Sequence, residues 1–222
     1  MHLPPPRAIL FDIDGTLADT APDLAAAVNG LRAKRGLAPA PYDLLRPAAS
    51  AGARGLIGAA FGIKPGDDEF EQLRTEFLDD YAAAIAVESR LFDDIPGLLA
   101  ALTRRGLLWG IVTNKAARFT EALVPRIGLE ASRCVVSGDT TPYPKPHPAP
   151  LLEAARRLSL PPQDCWYVGD DLRDIRAGEA AGMSTIAAEW GYCGNTRPAT
   201  WGATAVISTP LRLLDLIHEA RP

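Results

Sequence analysis

The sequence predicts an α/β protein, a Rossmann-like parallel sheet with an inserted all-helical cap. Two observations predict the sheet. Six short apolar runs recur along the chain, and segments of helical period separate them, as strands and crossover helices alternate in a parallel sheet. A third observation predicts the insert: residues 17–87 carry helix signals and no convincing strand. The expected division is a core domain of residues 1–16 and 88–222, interrupted by a helical cap domain of residues 17–87.

Each element has its own reason. Ala8-Ile9-Leu10-Phe11 is an unbroken apolar run of strand length. Thr20-x-x-Asp23 reads as a capping box ahead of Leu24, Ala27, Val28 and Leu31, with Gly36 at the helix end. Pro39-Ala40-Pro41 and Lys64-Pro65-Gly66 are turns. Residues 67–86 form a second helix, with Phe70, Leu73, Phe77 and Tyr81 on one face. Pro96 opens a helix that Gly106 stops, with Leu98, Leu99 and Leu102 turned inward. Residues 107–112 and 134–136 are strands, and a helix follows Pro148 through Leu151, Leu152, Ala155 and Leu158. Residues 165–168 are a strand, 171–181 a helix closed by Gly182, and 184–187 and 205–207 the last strands. Gly52-x-x-Gly55-x-x-Gly58 follows no strand and lacks the spacing of a dinucleotide-binding loop.

Composition narrows the function. With ~150 residues per domain as a guide, 222 residues allow one domain plus an insert. Lys+Arg 23 against Asp+Glu 27 gives a net charge of −4, which argues against nucleic-acid or anionic-membrane partners. No apolar run approaches the ~20 residues that span a bilayer. The start, Met1-His2-Leu3-Pro4-Pro5-Pro6-Arg7, does not read as a signal peptide. Cys134, Cys165 and Cys193 form no CxxC pair, which fits a reducing, cytoplasmic setting.

Polar residues gather where the strands end: Asp12 and Asp14, then Thr113 and Asn114, then Lys145, then Asp170, Asp171 and Asp174. Open parallel sheets bind ligands at the carboxyl ends of their strands, so these segments converge on one volume. Carboxylates packed this closely repel one another and call for a hard cation. Mg²⁺ suits them, since it takes one or two carboxylates, keeps waters and uses phosphate oxygens. Zinc is disfavoured because no Cys/His set stands near. A cation with Lys145 and Thr113 makes a receptor for a phosphoryl group, and a carboxylate can act as its nucleophile.

On these residues the chain resembles a known family. Phe11-Asp12-Ile13-Asp14-Gly15-Thr16-Leu17 looks like the first motif of the haloacid dehalogenase-like (HAD) phosphohydrolases. Ile111-Val112-Thr113-Asn114-Lys115, Lys145-Pro146-His147-Pro148 and Val168-Gly169-Asp170-Asp171-Leu172-Arg173-Asp174 look like the second, third and fourth, in the family's order. The insert sits where the C1-type cap of the phosphoglycolate phosphatase-like branch belongs. The resemblance implies a HAD core, Mg²⁺ as cofactor and an aspartyl-phosphate mechanism. By it, Asp12 is nucleophile and metal ligand. Asp14 is general acid, then base, and binds the metal through its carbonyl. Thr113, Asn114 and Lys145 hold the phosphoryl group, Asp170 binds the metal, and Asp174 and Asp171 support the metal site. Alternate positions of an extended segment project to one side, so Asp12 and Asp14 share a pocket. Thr113 and Asp171 are also read as helix caps.

Ser50-Ala51-Gly52-Ala53-Arg54-Gly55 resembles the cap segment that such enzymes present to substrate, and Arg54 there grips a carboxylate or is simply solvated. The implied substrate is a small phosphomonoester carrying a carboxylate, 2-phosphoglycolate or N-acetylmuramic acid 6-phosphate. Leu107-Leu108-Trp109-Gly110, the 169–174 run and Trp201-Gly202-Ala203 are especially similar to bacterial phosphatases of the second, which is preferred. A sugar phosphomutase of the β-phosphoglucomutase type and a non-catalytic phosphometabolite-binding protein are the other readings. Mutases tend to carry Glu where this chain has Gly169. The oligomer expected is a monomer or homodimer.

Overall fold

The computed structural model of the chain describes residues 3–194 and 196–220. Strand β1 (Ala8–Phe11) leads to a two-residue strand, β2 (Ala18–Asp19), and to helix α1 (Ala21–Lys34). Three more helices follow, α2 (Tyr42–Leu45), α3 (Gly52–Phe61) and α4 (Phe70–Ala83). The chain returns through β3 (Arg90–Leu91), α5 (Ile95–Arg104), β4 (Leu108–Val112), α6 (Ala117–Arg126), β5 (Val135–Val136) and α7 (Ala149–Leu158). It ends with β6 (Cys165–Gly169), α8 (Leu172–Ala180), β7 (Ser184–Ala188), β8 (Ala205–Ile207) and α9 (Arg212–Glu219).

β1 is wholly apolar and wholly buried, which suits a strand covered on both faces. It pairs in parallel with β4 on one side and β6 on the other, placing Phe11 beside Ile111 and Val168. The sheet order is β5-β4-β1-β6-β7-β8, parallel throughout. This is the α/β architecture the sequence predicts. The chain winds outward from β1 to β5, then crosses back to β6 and winds out the other way. The reversal makes β1 a topological switch point, where the carboxyl ends of neighbouring strands leave a crevice.

The predicted apolar face of α4 is the buried one: Phe70, Leu73, Phe77 and Tyr81. They join Leu24, Val28 and Leu31 of α1 and Leu56 and Ile57 of α3 in one apolar cluster. Position 55 in α3 requires glycine, because a Cβ there would overlap the Ala48 carbonyl, which lies against it. The helix expected over 67–86 is shorter, since Asp67 accepts from Lys64 N at 2.7 Å and closes a turn instead. Among the described residues, no helix is long and apolar enough to cross a membrane.

Several elements differ from the sequence reading. β2 and β3 form an antiparallel ribbon where the chain leaves and re-enters the sheet, too short for an alternating pattern to register. α6 carries Pro125 in its last turn, which reads as a terminator although its apolar face, Phe119, Leu123 and Val124, is buried. The capping box at Thr20 and Asp23 does not form. Thr20 donates its hydroxyl to Asp14 Oδ1 at 2.5 Å. Asp23 accepts from the backbone N–H groups of Val87, Glu88 and Ser89 at 2.8–3.1 Å. A charged acceptor draws the Thr20 hydroxyl more strongly than a helix N–H does.

Helix α7 separates two adjacent leucines. Leu151 is fully buried against the sheet, and Leu152 is 42% exposed. Leu151→Ala is expected to cost about 2–5 kcal/mol in urea unfolding. Leu152→Ala is expected to stay within about 0.5 kcal/mol of wild type. Equal losses would contradict the placement of α7.

Candidate active site

Three carboxylates meet at the switch point. Asp12 follows β1, Asp170 follows β6, and Asp174 lies in the first turn of α8. One oxygen from each lies within 4.8 Å of the others. Asp12 Oδ1 accepts from Ile13 N at 2.8 Å. Asp170 Oδ1 accepts from Thr16 Oγ1 and Oδ2 from Tyr192 N, both at 2.8 Å. Gly15 and Gly191 bring the backbone this close: a Cβ on either would overlap Asp170.

Lys145 enters this cluster from the loop after β5. Its ammonium lies 3.2 Å from Asp12 Oδ1 and 2.7 Å from Asp174 Oδ1. It also donates to Tyr167 Oη at 2.7 Å and Val112 O at 3.1 Å. Asn114 fixes the base of this lysine: its side-chain amide donates to Lys145 O and accepts from Lys145 N, each at 2.9 Å. The Asn114 side chain is thereby engaged at both ends, which leaves its backbone N–H for a ligand.

Burial and charge act together here. Burial pushes the Asp12 carboxyl up to about 6, with Lys145 pulling down and Asp174 and Asp14 pushing up. Burial, then Asp12 and Asp174, hold Asp170 well above the usual carboxylate range despite the donors on it. Burial opposes the Lys145 charge, but Asp12 and Asp174 outweigh it and raise its pKa. One lysine thus faces three carboxylates, and the shortfall is positive charge. The donor set is all oxygen, which fits a hard divalent cation such as Mg²⁺. Asp12 and Asp170 keep the freer oxygens. Asp174 Oδ1 already takes Lys145 and Tyr167, and its Oδ2 takes Asp171 N at 3.1 Å.

Asp171 is not brought into the cluster. It caps α8, accepting Arg173 N at 2.9 Å in a capping box with Asp174. Its two oxygens also take the Arg173 guanidinium at 2.7 and 2.9 Å. Burial raises its carboxyl pKa, and Arg173 more than reverses that. Asp171, expected to support the metal site, is here engaged in capping and in a bidentate pair with Arg173.

Asp14 faces a second lysine. Its Oδ2 lies 3.2 Å from Lys115 Nζ. Lys115 donates onward to Tyr81 Oη of α4 at 3.0 Å and lies over its ring. Burial disfavours the Lys115 charge, and Asp14 followed by Tyr81 outweighs it, so its pKa is raised. Thr113 is buried, with its hydroxyl accepting Lys115 N at 3.2 Å.

A cavity of about 390 Å³ opens over these groups. Asp12, Asp14, Thr113 and Asn114 lie at its floor, and Leu24, Phe77, Leu78 and Phe119 supply an apolar wall. Arg54, in the first turn of α3, also lines it, without a carboxylate partner among the described residues. Ser50 lines it too, and its hydroxyl has no hydrogen-bond partner. Arg173 donates to Ser50 O at 2.6 Å, tying this rim to α8.

Sequence reasoning missed Lys115, Tyr167 and Tyr192. Lys115 had a signal, since it directly follows Thr113-Asn114 at a strand end. Tyr167 sits inside an apolar strand and Tyr192 beyond the last motif, so neither had one.

Comparison with known proteins identifies the family. The haloacid dehalogenase-like hydrolase family matches residues 6–182. An N-acetylmuramic acid 6-phosphate phosphatase from Pseudomonas aeruginosa is 45% identical over 216 residues, 96% of each chain. A phosphoglycolate phosphatase from Xanthomonas campestris pv. campestris is 43% identical over 213 residues, 95% of this chain and 96% of that one. A crystal structure described as a predicted phosphoglycolate phosphatase from Haemophilus somnus superimposes with a TM-score of 0.84 at 27% identity, covering 95% and 97% of the two chains. The chain belongs to the haloacid dehalogenase-like hydrolases.

Proposed function

We propose that this hydrolase is a Mg²⁺-dependent phosphomonoesterase working through an aspartyl-phosphate intermediate, with residues 17–87 as its cap. One observation carries the reading. Asp12 and Asp14 share a single cavity but face different lysines, Lys145 and Lys115, at 3.2 Å each. Two carboxylates in different environments divide a nucleophile's work from a proton donor's.

In this mechanism an Asp12 oxygen forms a bond to phosphorus as the ester P–O bond breaks. Asp14 gives its proton to the departing alkoxide. The Asp14 carboxylate then takes a proton from water, whose oxygen attacks phosphorus. The bond from phosphorus to Asp12 breaks, and inorganic phosphate and the Asp12 carboxylate are released. Lys145, the Thr113 hydroxyl and the Asn114 backbone N–H hold the phosphoryl oxygens. Asp12, Asp170 and the Asp14 carbonyl would hold Mg²⁺, with Asp174 positioning Lys145; bound there, the ion offsets the crowded carboxylate and phosphoryl charge.

The two relatives suggest the substrate, and the cavity favours one of them. Its apolar wall exceeds what the two-carbon leaving group of 2-phosphoglycolate needs. N-acetylmuramic acid 6-phosphate has a ring and methyl groups to set against Leu24, Phe77 and Phe119. Arg54 and the unpartnered Ser50 hydroxyl stand at the rim for its carboxylate and polar groups. The mutase reading loses ground, because a side chain at Gly169 would overlap Asp174. The three free cysteines support a cytoplasmic enzyme. A small-molecule substrate is expected to be met by a monomer or homodimer.

Phosphate release from a phosphomonoester panel tests the activity. N-acetylmuramic acid 6-phosphate is expected to give the highest kcat/KM, chelation of divalent metal to abolish release, and Asp12→Asn to lower kcat at least ~10³-fold. Isomerised sugar phosphate without free phosphate would overturn the hydrolase reading. Arg54→Ala is expected to raise KM for the carboxylated substrate about tenfold and to leave an uncharged aryl phosphate within about twofold. Equal effects on both would remove Arg54 from the substrate.

A further inference from the structure

Helix α1 begins without the cap its own sequence offers. The first N–H groups of a helix have no partner within it, and an N-cap Thr ordinarily accepts one. The Thr20 hydroxyl instead donates to Asp14 Oδ1 at 2.5 Å. Pro22 has no N–H to satisfy. Thr20 N and Ala21 N both donate to one distant atom, the Tyr192 hydroxyl, at 2.8 Å each. That hydroxyl in turn donates to Asp19 Oδ1 at 2.9 Å.

A phenol oxygen has one proton to give and accepts through its lone pairs, so these three bonds use its capacity. The Thr20 hydroxyl lies at the limit of hydrogen-bond reach from it, 3.5 Å away, against 2.5 Å to Asp14. Tyr192 is itself held rigidly in the run Trp190-Gly191-Tyr192. Trp190 Nε1 donates to Thr16 O at 3.0 Å, and Tyr192 N donates to Asp170 Oδ2 at 2.8 Å. The Arg46 guanidinium lies over the Tyr192 ring, 4.9 Å from its centre. The ring is 4% exposed.

We propose that Tyr192 is a positioning residue for proton transfer by Asp14. By accepting the N–H groups of Thr20 and Ala21 it fixes the backbone of Thr20, from which the Thr20 hydroxyl holds the Asp14 carboxyl toward the leaving group. Removing the Tyr192 hydroxyl orphans two buried N–H groups, and the start of α1 shifts to reach other acceptors. Once Thr20 moves with it, Asp14 loses its donor. The inference rests on the reading of Asp14 as proton donor.

The test compares two substrates. An alkyl phosphomonoester expels an alkoxide that needs a proton, and 4-nitrophenyl phosphate expels a phenolate that does not. Tyr192→Phe is expected to lower kcat/KM, which reports phosphoryl transfer to Asp12 and not the later hydrolysis shared by both substrates, about tenfold on the alkyl ester and less than about twofold on the nitrophenyl ester. Thr20→Val is expected to show the same split, Thr20→Ser to restore activity, and the double variant to lose no more than the larger single loss. Asp14→Asn is the reference. If it shows the split and Tyr192→Phe does not, or if the double variant loses the product of the two, the inference is wrong and the Asp14 reading stands. An equal loss of kcat/KM on both substrates in Asp14→Asn rejects that reading, and the inference falls with it. Should Tyr192→Phe not fold, Thr20→Val still decides. Thr20 caps nothing and only holds Asp14, so the split is predicted with a melting temperature within about 2 °C of wild type. A larger drop without the split overturns it.

Discussion

The ammonium of Lys145 is enclosed by protein, 3.2 Å from Asp12 and 2.7 Å from Asp174, and the site is organised around that charge. A lone buried cation would be costly; here two carboxylates, the Tyr167 hydroxyl and the Val112 carbonyl surround it. The partners arrive from three adjacent strands: Asp12 after β1, Val112 at the end of β4, and Tyr167 and Asp174 within and after β6. The arrangement exists only because β1, β4 and β6 lie side by side with their carboxyl ends level. Asn114 holds the lysine's backbone, and Asp174 holds its head while also completing the cap of α8. Phosphoryl transfer asks a protein mainly for position and charge, and both are set here by secondary structure.

The same economy shapes the rim. Gly15, Gly169 and Gly191 each stand where a Cβ would strike Asp170 or Asp174, so the backbone itself packs against the carboxylates. Arg173 serves twice, pairing with Asp171 beside the cluster and donating to Ser50 O across the cavity. Lys115 serves twice as well, bridging Asp14 to Tyr81 of α4. Residues 17–87 therefore reach Asp14 directly through Thr20 and through Lys115 from Tyr81, and reach Asp171 through Arg173 from the Ser50 carbonyl. A shift of α4 or of residues 49–51 would be felt at Asp14 or α8 directly.

Much of this was legible in the sequence, for identifiable reasons. Asp12, Thr113 and Asp170 closely follow apolar runs and Lys145 lies in the loop after another, and the sheet rule brings such positions together. The α4 face was legible because its apolar residues repeat at helical spacing. Thr20 and Asp23 misled because capping is a local rule, and their partners, Asp14 and the 87–89 backbone, were stronger acceptors or donors brought close by the fold. Tyr192 is 172 residues from the N–H of Thr20 that it accepts. No spacing argument reaches that far. Leu152 looked equal to Leu151 because adjacent apolar residues in a helix do not declare which one faces in.

The central claim is that Asp12 carries the phosphoryl group during turnover. Acid-quenched turnover followed by peptide mass mapping tests it most directly. The account predicts one phosphoryl group on the peptide bearing Asp12, absent in Asp12→Asn and longer-lived in Asp14→Asn. Active turnover with that peptide unmodified in both wild type and Asp14→Asn, or with the phosphoryl group on another residue, would contradict it.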